Sequence, residues 1–170
     1  MTNAMPPRLR KVVLTVHIAS SVGLLGAIAA FLVLAVVGIA GDTDAARMTY
    51  PAMKLVTWFA VLPLAVASLV VGVLESIGTT WGLFRYYWVV AKLLITLAAV
   101  AVLALQLGVI DYMAGAALAN LPLAPELFEA RMSLVVHGAG GLLLLLVPVA
   151  LSVYKPQGTT AYWRRRQAAA

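Results

Sequence analysis

The sequence predicts an all-α fold: one integral membrane domain, residues 1–170, built as a bundle of four transmembrane helices with both termini inside. Three observations predict it. Hydrophobic residues make up 64% of the chain and charged residues only 11%, whereas a soluble domain is about half apolar and a quarter charged. Four apolar runs occur, roughly 12–40, 53–76, 86–110 and 132–154, each near the ~20 residues needed to cross ~30 Å of hydrocarbon. Basic residues crowd the two ends, with Arg8, Arg10 and Lys11 at one and Lys155, Arg164, Arg165 and Arg166 at the other. Lys and Arg collect on the cytoplasmic side of short loops, and an even number of spans agrees with both ends lying there.

Span one is read as a retained helix, because its apolar run far exceeds the ~7–15 residues of a signal-peptide core. It follows Pro6-Pro7 and exits at Gly38, Gly41 and Asp42, after which Thr43 to Pro51 is expected to be a short outer loop. Span two carries Pro63 near its middle, and a proline there removes a donor and predicts a kink. Residues 77–88 form the inner connection, where Trp81, Tyr86, Tyr87 and Trp88 suit the headgroup level. Span three ends near Ile110. In the outer loop 111–131, the stretch Asn120 to Pro125 is incompatible with a regular helix, while PELFEARM reads as a helix start with acidic residues in its first turn. Span four ends at Tyr154-Lys155-Pro156. Small residues (Ala19, Gly23 and Ala27; Gly26 and Ala30; Gly138, Gly140 and Gly141) predict close helix packing.

The net charge of +6 does not indicate nucleic-acid binding, since it is concentrated at the ends and suits anionic lipid. There is no cysteine, which excludes disulfides and thiolate chemistry. No nucleophile–base set, phosphate loop or catalytic carboxylate pair is present, so catalytic residues are expected to be absent.

Chemistry must therefore come from the few strongly polar residues inside the spans: His17, Glu75, Lys92, Gln106 and His137. Charges at bilayer depth cost ~2.5–3.5 kcal/mol each on insertion scales, so they face the bundle and seek partners. Depth along the helices groups His17, Ser20, Ser21, Glu75 and Lys92 in a cytoplasmic-side cluster. Ser20, Ser21 and Leu24 follow His17 at helical spacing on one face. Lys92 is expected either to pair with Glu75 or to snorkel toward the inner headgroups. Gln106, Asp111 and His137 make a second, outer cluster. Two histidines in a bundle suggest haem b, but helical rise separates these two by roughly 20 Å along the membrane normal. One haem held by both within a chain is therefore not expected; haem on one histidine, or shared across a dimer, stays open.

His17-x6-Leu24-x-Gly26-Ala27 resembles the first-helix pattern of the copper-resistance D family and related small bacterial membrane proteins. Leu24 stands where that pattern has tryptophan and Ala27 where it has a second glycine. WGLFRYYWVVAKLLIT (81–96) is similar to the family's aromatic-glycine entry to a helix, with Lys92 on its lysine. The resemblance implies copper handling or a membrane redox chain, with His17 the metal residue carried over. Copper entry uses soft ligands, and Met48, Met53, Met113 and Met132 share the outer side.

The leading expectation is a non-enzymatic membrane protein that binds or passes a small cation, proton or copper, around His17. A haem- or quinone-associated redox subunit, with His17 and His137 as cofactor ligands, is the alternative. An assembly partner of a membrane complex is the third. The expected setting is the inner membrane of a bacterium, as a homodimer or beside another membrane subunit.

Overall fold

A computed structural model describes residues 5–79, 82–119 and 127–168. Its four long helices are α1 (Pro7–Ala40), α2 (Thr43–Gly78), α3 (Tyr87–Leu118) and α4 (Phe128–Tyr154), followed by the short α5 (Ala161–Ala168). Each of the first four is long and apolar enough to cross a membrane. Their outward faces are lined with exposed Leu, Val and Phe, a surface that suits lipid rather than water. This is the architecture of a multi-pass membrane protein.

Pro7 opens α1, where its missing N–H is an orphan anyway and its fixed φ fits the helix. After Ala40 only Gly41 and Asp42 separate α1 from α2, so the loop expected at Thr43 to Pro51 is helical instead. The Asp42 carboxylate accepts from the Ala45 amide at 2.9 Å, and Asp44 lies in the first turn; both complement the positive helix start. Ala46, Thr49, Tyr50 and Met53 then recur at i, i+3, i+4 and i+7, and all are buried. That buried stripe offsets the cost of Pro51 within the helix.

Pro63 is accommodated by a π turn at Thr57–Val61. Proline has no N–H for the carbonyl four residues back and its ring crowds that carbonyl. The helix widens just before it, and the Leu62 amide bonds the Thr57 carbonyl five residues back.

α3 continues past the expected end at Ile110 to Leu118, because Ile110, Met113, Ala114 and Ala117 extend its buried stripe. α4 begins at Phe128 with Glu129 in its first turn; Asn120 to Pro125, and the start of PELFEARM, lie outside the described residues. At the far end of α4, Lys155 takes a left-handed conformation with φ 42° and returns its amide to the Leu151 carbonyl.

The segments just before α1 and just after α4 both meet the region between α2 and α3. The Met5 amide donates to the Gly78 carbonyl at 3.0 Å, and the Thr160 amide donates to Arg85 at 2.9 Å. The Tyr87 amide donates to Gly158 at 3.3 Å, completing an isolated antiparallel bridge between Tyr86 and Thr159. Trp88 is buried and Tyr87 exposed, while Trp81, also expected at the headgroup level, lies outside the described residues. The Arg85 guanidinium stacks on both Tyr86 and Trp163, at 5.2 and 5.1 Å from the ring centroids.

At the opposite end lies the larger apolar core, where Phe31, Ala35, Tyr50, Met53, Met113 and Leu134 pack together. Arg131 of α4 closes it. Its guanidinium donates to the Gly38 carbonyl at 2.7 Å, the Ile39 carbonyl at 3.2 Å and the Tyr50 hydroxyl at 2.9 Å. Gly38 is a close approach, since a Cβ there would stand 2.8 Å from Thr49 Oγ1 and 3.0 Å from Tyr50 Cζ. Gly23 and Gly138 also lie against neighbouring side chains, of Leu64 and of Phe31 with Leu32. Gly26, Gly140 and Gly141 face open space, so only part of the small-residue pattern serves packing within one chain.

Candidate functional site

Toward the end where α1 begins and α4 finishes, α1, α2, α3 and α4 surround a cavity of about 730 Å³. The heptad-like spacings of the helices place its wall. Arg10, Leu14, His17 and Ser21 share one face of α1; Ser68, Gly72, Glu75 and Ser76 share one face of α2. Lys92 and Thr96 come from α3, Ser152 from α4 and Lys155 from just past its end, with Leu, Ile and Val side chains between the polar groups. Residues spaced three, four and seven apart lie on one side of a helix, which is why so many polar groups reach one space.

The His17 ring rests on the backbone of α2 at Gly72. A Cβ on Gly72 would stand 2.9 Å from His17 Cε1, so the glycine makes room for the imidazole. His17 Nδ1 is buried and has no hydrogen-bond partner among the described residues. Ser21 shares a hydrogen bond of 2.8 Å with Ser68. Ser20 is buried and donates to the His17 carbonyl at 3.0 Å, so it satisfies its own helix rather than lining the cavity.

Lys92 and Glu75 line the same cavity, yet no ion pair joins them among the described residues. The Lys92 ammonium donates instead to Ser152 Oγ at 3.0 Å and lies 4.7 Å from the centroid of the Trp88 ring. Ser152 in turn donates to the Pro148 carbonyl at 2.8 Å. A double-mutant cycle separates these partners. Lys92→Met with Ser152→Ala is expected to show coupling of at least about 0.5 kcal/mol, more than Lys92→Met with Glu75→Gln, whose charges attract across the cavity without contact. Stronger coupling to Glu75 in thermal unfolding would contradict the geometry.

The outer residues divide. Gln106 Nε2 donates to Ser133 Oγ at 3.2 Å, and Ser133 Oγ lies 3.1 Å from His137 Nδ1. His137 Nδ1 is also 2.8 Å from the Ser133 carbonyl; a carbonyl only accepts, so Nδ1 carries the proton. Asp111 lies elsewhere, since five residues turn a helix through about 140° from Gln106. It accepts from Lys54 Nζ at 3.1 Å and Trp58 Nε1 at 3.2 Å. His137 is on the exposed side of α4 and does not line the cavity with His17.

These positions bear on the cofactors considered from sequence. No group of three His, Asp or Glu side chains among the described residues could hold a metal ion. Around His17 the other donors are hydroxyls, a carboxylate and an ammonium, which is not the soft set copper entry uses. Met53 and Met113 are packed in the apolar core at the opposite end, and Met48 and Met132 are on the surface. A haem gripped by both histidines does not fit residues that occupy different faces.

Sequence reasoning had not singled out Ser68, Ser76, Thr96 or Ser152, and had read Lys155 only as one of the basic residues after span four. The signal was there in part: Ser68 and Ser76 fall at helical spacing from Glu75 through Gly72. No family model matches the chain, and neither does any curated protein or solved structure.

Proposed function

We propose that the protein is a non-enzymatic component of the bacterial inner membrane, with both termini cytoplasmic, whose cavity receives a lipid-soluble molecule carrying a polar head. The observation that supports this most is the cavity itself. At about 730 Å³ it falls within the ~300–1,000 Å³ usual for small-molecule sites, and it combines apolar walls with a few convergent polar groups as such sites do. An unpartnered imidazole nitrogen inside a span is costly, and a bound head would satisfy it. Between the cation and quinone-type expectations, the donor set around His17 favours a molecule over a metal ion. Proton exchange with the head of that molecule remains a role for His17 and Glu75.

Trp88 offers a direct test, because it lines the cavity yet is only 7% exposed. A long-chain brominated alcohol titrated into the protein in neutral detergent is expected to quench a component of fluorescence that Trp88→Phe removes. Equal quenching of the wild type and Trp88→Phe would sink the proposal.

The orientation has its own test. Reporter fusions after Arg166 and within 115–118 are expected to report opposite sides, the first cytoplasmic. A periplasmic C-terminal reporter would reverse the assignment.

A further inference from the structure

The charges around the cavity are unbalanced. Among the described residues, Arg10 and Lys92 line it against a single carboxylate, Glu75, with Lys155 beside them. An ammonium carries three donors and no acceptor, and among the described residues Lys92 makes one hydrogen bond, to Ser152, besides its contact with the Trp88 ring. In a wall of low polarity such an ammonium is only partly compensated, since a ring face, one hydroxyl and the attraction of Glu75 across the cavity replace part of its hydration. An excess of one sign inside a cleft with apolar walls focuses potential on a ligand of the other sign.

We infer that the cavity is selective for a single-chain amphiphile with an anionic head, a carboxylate or a phosphate, seated between Lys92 and Lys155 with its chain among the Leu and Val side chains. This rests on the ligand-binding reading above and adds the charge of the ligand to it. Ser152 holds Lys92 in place from one side, and the head completes its hydrogen bonds from the other. The location agrees with this chemistry: Lys155 follows the last residue of α4, so the basic groups lie near the mouth while the apolar lining runs inward. An amphiphile entering from the membrane would keep its head at that level.

The test compares three brominated probes of equal chain length, a fatty acid, an alkyl phosphate and a fatty alcohol, by quenching of Trp88 in the full chain in neutral detergent. Charge-assisted contacts to one or two ammonium groups are expected to make either anion bind at least about tenfold tighter than the alcohol. Whichever anion binds tighter identifies the head. Lys92→Gln and, separately, Lys155→Gln are expected to bring the anion-to-alcohol ratio toward one. Equal binding of all three probes by the wild type would overturn the anion inference and leave the cavity reading standing. Absence of Trp88 quenching by every probe would overturn both. A ratio unchanged in both lysine variants would also overturn the inference, because the selectivity would then arise elsewhere. The wild-type comparison decides the matter even if a lysine variant fails to fold.

Discussion

Replacing Arg131 with methionine should lower stability by about 3 kcal/mol, the largest single effect expected in this chain, because charge-assisted hydrogen bonds contribute ~1.5–3 kcal/mol each and their loss leaves acceptors unpaired. The last carbonyls of a helix have no partner within it and carry the negative end of its dipole. Gly38 and Ile39 are such carbonyls at the end of α1, and Arg131 of α4 supplies both, while also holding Tyr50 of α2. One side chain thereby joins three helices at the end opposite the cavity. Arg131→Lys should recover less than half of the loss, since an ammonium lacks the planar fork that reaches three acceptors together. Thermal unfolding in detergent measures both. A Tm for Arg131→Met within a degree of the wild type would show that the contacts are replaced by water or lipid headgroups.

Gly38→Ala should cost about 1–3 kcal/mol, the usual range for overpacking a well-filled contact. The new methyl would stand 2.8 Å from Thr49 Oγ1 and 3.0 Å from the Tyr50 ring, and both side chains are buried. Tyr50 cannot yield without losing its bond to Arg131. The two substitutions share that tyrosine, so the Gly38→Ala/Arg131→Met double variant should lose less than the sum of the singles. Additive losses would mean that Tyr50 does not transmit strain between α1 and α4. Because these residues are remote from the cavity, binding of the brominated probes by folded Gly38→Ala protein serves as a control for site-specific effects.

The sequence by itself determined the four long helices and the faces on which the polar residues sit. Apolar runs of this length and the 3.6-residue period are local properties, carried by bonds four residues apart. That is why His17, Ser20, Ser21 and Leu24 could be placed on one side of α1 before any neighbour was known. Tertiary structure decided where helices end and what each polar group meets. Thr43 to Pro51 and the 111–118 stretch read as loops by polarity or position, yet they are helical because Tyr50, Met53 and Met113 bury their side chains against α1 and α4. Lys92 could have met Glu75 on grounds of depth, but the rotation of α3 about its axis brings it to Ser152. Gln106 and Asp111 lie on different sides of one helix, a separation that its turn alone fixes, but which partners they reach, Ser133 and Lys54, depends on the neighbouring helices. Pairing across helices depends on rotation and offset, which are set by packing over the whole bundle and leave no mark in a single helix's pattern.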